Sequence, residues 1–242
     1  MKELVEGRKV ALVGPAKYML GSESGSEIDE HDLVVRINRG PELIEEYGQD
    51  IGTRTDILYS CLIEKPENAG FYNLELFRDK YQIKQLVAPP QSDMKGISSS
   101  TKLHSMINES KVANISEHIP FRVVDHTFHN ALSRKIDCRP NTGFLAMYDL
   151  LAHNPEHLTI YGFSFYLDGF IPSYKKGVES DILMTEEEFA NKCFNSKRHV
   201  QENMWQYCKD NFAQKANVSL DPVLQKILDL DEFVKGALED LQ

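Results

Sequence analysis

Residues 9–14 read KVALVG, a compact apolar run that ends on glycine. Such a run, bounded by a turn residue, is the pattern of a strand buried on both faces of a parallel sheet. Outward from it, residues 32–38 (DLVVRIN) are β-branched and end on polar groups, and residues 55–60 (TDILYS) repeat that plan. Between them, Gly21 to Ser26 reads as a flexible Gly/Ser loop and Pro41 to Tyr47 as a short helix. Further strands are expected at Gln82–Ala88, Phe121–Val124 and Leu158–Phe163, with helices near Leu74–Lys80, Ser100–Val112 and Thr142–His153. This alternation predicts an α/β fold, a Rossmann-like open and mainly parallel sheet with helices on both faces. Beyond Phe163 the chain becomes aromatic and Gly/Pro-containing (Ser164–Asp181), then helical in pattern at Thr185–Cys193, Arg198–Phe212 and Pro222–Leu241. One domain over 1–242 is expected: residues 1–163 form the sheet, and 164–242 supply a lid or acceptor wall and C-terminal helices.

Composition narrows the function. The 242 residues carry 27 Lys+Arg against 37 Asp+Glu, a formal net charge of -10, with 41% hydrophobic residues, which is globular and acidic. Duplex nucleic acid is excluded as a partner, because the broad cationic footprint it requires is missing. The four cysteines are scattered without a C-x-x-C pair, so neither a zinc knuckle nor a disulfide framework is indicated. The N-terminus is charged and runs directly into a strand without the apolar stretch of a signal peptide, and no segment reaches the about 18 to 20 apolar residues of a transmembrane helix. A cytoplasmic, reducing location is the expectation.

Ligands of open α/β sheets sit beyond the carboxyl ends of the strands, so Gly14, Asn38, Ser60 and Phe163 are read first. No phosphate-loop or dinucleotide glycine signature follows Val13, which removes kinase-like and NAD-type readings. Arg139-Pro140-Asn141-Thr142-Gly143 ahead of an apolar helix offers an anion site, with Asn141 or Thr142 as cap; an ordinary cap in tight helix–strand packing is the alternative.

Residues 9–59 together resemble the long sialylmotif of animal-type sialyltransferases, glycosyltransferase family 29, at Ile28, Asp29, His31, Asp32, Val35, Arg36, Asn38, Gly52, Arg54 and Thr55. Residues 139–163 are similar to the short sialylmotif at Pro140, Thr142, Gly143, Tyr161, Gly162 and Phe163. The chain also departs from the family pattern. Pro15-Ala16 stands where Asn-Ser is usual after V-G, the cysteines that join the two motifs are absent, and the third motif is reduced to Ser173-Tyr174-Lys175. The last motif, His with Glu five residues later, becomes His199 and Glu202 at a spacing of three.

The resemblance implies a sialyltransferase-type variant of the GT-A fold. It also implies transfer of sialic acid, or a related 2-ulosonic acid, from a CMP-activated donor to a glycan hydroxyl, with inversion, without a metal ion and without a cofactor beyond the donor itself. His199 is the general base it implies. The substrate-binding set is Gly14, Asn38, Asn141, Thr142 and Gly143, with Tyr161, Gly162, Phe163, Tyr174, Lys175 and Glu202. Leaving phosphate charge calls for aimed N–H, O–H and cationic donors, and a hydroxyl nucleophile calls for a proton acceptor, which fits these residue types. Two rivals stand beside this reading: a transferase using another nucleotide sugar on the same fold, and an inactive nucleotide- or glycan-binding module.

Other motifs read as structural. His31 suits a hydrogen bond to a neighbouring loop. His126 and His129 read as a polar acceptor-side loop, with no third and fourth ligand to make a metal site. Asp229-Leu230-Asp231 reads as solvated carboxylates within an amphipathic C-terminal helix.

Overall fold

The computed structural model describes residues 1–62, 74–90, 109–174, 185–212 and 215–235. Seven strands form one sheet: β1 Lys9–Val13, β2 Leu33–Ile37, β3 Ile57–Tyr59, β4 Gln85–Ala88, β5 Phe121–Val123, β6 His157–Tyr161 and β7 Val218–Leu220. Their order is β5-β4-β3-β2-β1-β6-β7, and every pairing is parallel. The apolar runs behave as read, since β2 is buried at all five positions and β1 at the last four. The helices used below are α1 Lys2–Val5, α2 Gly25–Asp29, α3 Ile44–Ile51, α4 Glu109–His118, α5 His126–Lys135, α6 Thr142–Leu151, α7 Glu186–Phe194, α8 Gln201–Phe212 and α9 Pro222–Asp229. No helix of the described residues is long and apolar enough to cross a membrane.

Alternation along the strands divides the core. Val10 and Leu12 of β1 share one face with Phe144, Leu145 and Leu150 of α6, backed by Met204 and Trp205 of α8 and Leu224 and Ile227 of α9. Ala11 and Val13 face the other way, onto Ile28 of α2 and Ile51 of α3. The apolar helix α6 is thus covered on both sides, which explains why its sequence shows no polar stripe.

Several expectations move. The N-terminal segment forms α1 before the first strand, and α2 starts inside the Gly/Ser loop. His126 and His129 lie on α5 rather than in a loop; Asp125 starts that helix by accepting the Phe128 N–H at 2.8 Å, a cap signal outweighed in the sequence by the polar residues that follow. The helix expected over 100–112 is α4, and residues 100–108 lie outside the described set. The C-terminal helix expected over Pro222–Leu241 stops at Asp229, because Leu230 turns extended and carries the Phe233 ring to within 5.4 Å of Trp205 and 5.3 Å of Phe194; residues 236–241 of that expectation lie outside the described set. The tail also contributes β7, which three residues of weak pattern did not announce.

The long-motif residues are knotted behind the sheet. Arg36, 1% exposed, donates from Nε to the Arg54 carbonyl and from Nη2 to the Ile51 and Gly52 carbonyls at 2.8–2.9 Å, satisfying the end of α3. Burial lowers its guanidinium pKa to about 10, still charged at neutral pH. Asp29 accepts from the Thr53 N–H and hydroxyl and from the Arg54 N–H, while the Arg54 guanidinium donates to the carbonyls of Asp29, His31 and Asp32. His31 reaches Thr159 Oγ1 across the sheet at 3.0 Å. These bonds hold α2 and α3 against β2 and so fix where β2 ends. Replacing Arg36 by Met keeps the volume but strands three buried carbonyls. Arg36→Met is expected to lower unfolding free energy by about 3 kcal/mol, read as a fall in the urea midpoint at unchanged slope.

Candidate active site

Strand order reverses at β1, which lies between β2 and β6 and from which the connections run outward in both directions. Beyond the carboxyl ends of these strands lies a cavity of about 430 Å³. It sits where ligands of open α/β sheets bind. Its floor is the exit of β1 and β6. Gly14 and Gly162 touch there: a Cβ on Gly14 would stand 2.2 Å from the Gly162 carbonyl oxygen, and one on Gly162, at φ +72°, would stand 2.5 Å from the Gly14 oxygen. Phe163, next in line, lays its ring against Gly143, where a Cβ would meet ring carbon at 2.6 Å.

One wall is the start of α6. Asn141 caps it, its Oδ1 accepting the Phe144 N–H at 2.8 Å, while Thr142 and Gly143 line the cavity. The backbone before the helix is paired to the segment before α8: the Arg139 N–H donates to the Arg198 carbonyl at 3.1 Å, and His199 Nδ1 donates to the Arg139 carbonyl at 2.8 Å. That bond sets the tautomer, leaving Nε2 as the acceptor nitrogen. Gln201, 1% exposed, bridges the α6 start and the segment before α8, donating to the His199 carbonyl and accepting from Asn141 Nδ2. Burial, followed by the positive charges of Arg139 and Arg198, lowers the His199 pKa to about 4.

The opposite wall is aromatic. Residues 163–174 run through Phe165 at φ +52°, Tyr166 at φ +64° and Ser173 at φ +69°, and Phe170 stacks on Tyr174 at 5.3 Å. The segment is tied to the β1 exit by Ala16 pairing with Phe170 and by the Ile171 N–H donating to the Pro15 carbonyl at 2.8 Å, so backbone at Pro15-Ala16 does the anchoring. Tyr174 is 2% exposed, and burial holds its phenol protonated. Asn38, itself at φ +45°, accepts the Cys61 N–H at 3.0 Å and turns the chain after β2 into the cavity.

Of the residues singled out in the sequence, Asn38, Asn141, Thr142, Gly143, Gly162, Phe163, Tyr174 and His199 line one cavity, and Gly14 lies directly under it. Tyr161 and Glu202 do not line it. Tyr161 points to the far face, its hydroxyl donating to Glu27, and Glu202 is exposed on α8. His199 is held by the Arg139 carbonyl, not by a carboxylate three residues on. Lys175 lies outside the described residues. Arg139, Arg198 and Tyr166 also line the cavity; the sequence reading placed Arg139 within the anion-site segment without a role of its own, and assigned Arg198 and Tyr166 nothing. The signal was present in Arg139, one residue before the Pro of the short motif; Arg198 and Gln201 could be placed only by the fold. No Asp or Glu is among the described lining residues.

A family model, glycosyltransferase family 29 (sialyltransferase), matches residues 5–174. The chain belongs to glycosyltransferase family 29. Solved structures agree in fold. A mammalian sialyltransferase in complex with Gal-beta-1-3GalNAc-ortho-nitrophenol is 19% identical, with 90% of this chain and 71% of that one covered at a TM-score of 0.55. The sialyltransferase CST-II, in complex with trisaccharide acceptor and CMP, is 12% identical over 94% of this chain and 88% of that one, at a TM-score of 0.56. CstII from Campylobacter jejuni, in complex with the substrate analogue CMP-3FNeuAc, is 12% identical over 88% and 78%, at 0.50. This family 29 chain is therefore a sialyltransferase-like enzyme built on a seven-stranded parallel sheet.

Two histidines of this enzyme carry depressed pKa values. His129, 1% exposed on α5, is lowered to about 4 by burial and then by Arg139, and His199 stands at about 4 as well. Between pH 6.5 and 4 the unfolded chain binds more protons at these sites than the native one, so stability falls as pH drops through that window and is flat above it. Denaturation midpoints at pH 7, 5.5 and 4.5 should decline accordingly. His129→Leu should flatten the decline while leaving the pH 7 value near wild type.

Proposed function

We propose that this enzyme transfers sialic acid, or a related 3-deoxy-2-ulosonic acid, from its CMP-activated form to a glycan hydroxyl, by direct displacement with inversion and without a metal ion. The observation that carries the reading is the placement of His199, whose Nδ1 proton goes to the Arg139 carbonyl so that Nε2 is the acceptor nitrogen, in the same cavity as the α6 start and two arginines. As the bond from C2 of the sugar to the phosphate oxygen breaks, the electron pair passes to the phosphate. The N–H groups of Thr142 and Gly143 at the helix start, with Arg139 and Arg198, meet that charge. The acceptor oxygen bonds to C2 from the opposite side, and its proton goes to His199 Nε2.

The donor set supports the metal-free part. Arginine cations and N–H groups can fill the role of a divalent ion, and the described lining residues hold no carboxylate to ligate one. CST-II, solved with CMP, supports cytidine as the donor base. We further read residues 1–242 as one catalytic domain, because β7 joins the sheet and α8 and α9 share its core. Four free thiols suit a reducing cytoplasm.

Binding of the product nucleotide tests the donor. CMP at a hundredfold excess over its Kd should stabilise the fold by about 2.7 kcal/mol, raising Tm, while UDP and GDP should leave Tm unchanged. Equal shifts with UDP would instead favour another nucleotide sugar.

The base is tested by kinetics. His199→Ala should lower kcat by about two to four orders of magnitude with CMP affinity nearly intact. In wild type the acid limb of kcat/KM should fall near pH 4, following the free enzyme. The limb of kcat should lie higher, because the bound donor's phosphate and carboxylate stabilise the imidazolium. A kcat profile unchanged in His199→Ala would remove the assignment.

A further inference from the structure

The corner at Gly162 and Phe163 leaves the sheet in a left-handed turn, so its two amides find no strand partner. Both are satisfied from remote segments. The Gly162 N–H donates to Asp221 Oδ2 at 2.9 Å, and the Phe163 N–H donates to the Tyr18 hydroxyl at 3.0 Å. That hydroxyl in turn donates to the same Asp221 Oδ2 at 2.7 Å. Asp221, 6% exposed, spends its other oxygen on the Val223 and Leu224 N–H groups, capping α9. The Tyr18 N–H donates to Asp168 Oδ2 at 2.6 Å, on the aromatic wall. One tyrosine after β1 and one aspartate after β7 therefore clamp the strand-exit corner. Neither lines the cavity, and Asp221 lies 47 residues beyond the end of the family match at 174.

We propose that Tyr18 and Asp221 are positioning residues for the donor: through Gly162 and Phe163 they set the first turn of α6, whose N–H groups face the leaving phosphate. The route is physical contact, since the Phe163 ring lies on Gly143 at a distance that admits no Cβ. A shift of the corner moves the ring and with it the helix start. Misplacement on the ångström scale is enough to cost large factors in rate. The proposal rests on the reading that the donor phosphate binds at α6.

Tyr18→Phe removes the hydroxyl that serves the Phe163 amide. Asp221→Asn keeps a good cap for α9 but loses the charge that holds two donors at once. Trp205→Phe, which breaks the Trp205 Nε1 bond to the Ile227 carbonyl between α8 and α9, is the control for destabilisation alone. Hydrogen exchange and kinetics are read on all three. In Tyr18→Phe and Asp221→Asn, amides 142–146 at the α6 start should exchange at least tenfold faster. The Kd for CMP and the donor KM should each rise about tenfold, with acceptor KM within twofold of wild type. Trp205→Phe should lower Tm and change none of these. Unaltered exchange at 142–146, unaltered CMP affinity, or equal losses in Trp205→Phe would overturn the proposal. If wild type itself fails to bind CMP, the donor reading falls, and exchange at 142–146 alone then decides whether the clamp positions α6.

Discussion

Everything at the site depends on the contact between Gly14 and Gly162. The backbones leaving β1 and β6 touch there, each lacking the side-chain atom that would push the other away. Because the strand order reverses between these two strands, their exits diverge immediately beyond the contact and open the cavity. Bring the exits no closer than a Cβ allows, and Phe163 loses its place on Gly143, the aromatic wall loses its tie to Pro15 and Ala16, and the α6 start loses its floor. Space given up at two glycines is thus converted into a defined recess.

Motif residues with reactive side chains turn out to do two different jobs. Asp29, Arg36 and Arg54 are charged residues at matched long-motif positions, yet they spend that charge mainly on backbone groups of α2, α3 and the segments that follow them. Their fixed charge and forked donors suit this, since a guanidinium can satisfy several carbonyls that no apolar residue could. The short motif works at the cavity itself, with Asn141, Thr142 and Gly143 at a helix start. The geometry of the cavity is therefore delivered by backbone, and the charged long-motif residues hold that backbone still.

An acidic chain with net charge -10 surrounds a cavity whose described lining has arginine and histidine but no carboxylate. The same separation accounts for His199. Buried beside two cations, it stays neutral over the physiological range; under the proposed function, an anionic donor entering the cavity would restore its affinity for a proton. As the proposed base, His199 would gain strength when the donor is bound, which would couple proton acceptance to donor occupancy.

The parallel α/β sheet was legible in the sequence, because runs such as KVALV and DLVVRIN state burial on both faces through residue type alone. So were Asn38 and the Asn141-Thr142-Gly143 start, which follow from strand ends and cap chemistry, both local properties. His199 was legible as a residue but not as a geometry: its spacing pointed to Glu202, whereas the fold gave it the Arg139 carbonyl. Tyr161 was misplaced for a related reason, since β pleat sends alternate side chains to opposite faces and only the sheet shows which face holds the cavity. Arg198, Gln201, Tyr18, Asp221 and β7 could not be read at all. The partners that place them in the site lie 59 or more residues away in the chain, and hydrogen bonds over such separations leave no periodic trace for a local pattern to report. Short-range preference and hydrophobic alternation set the elements, and long-range packing chose which of their ends would meet.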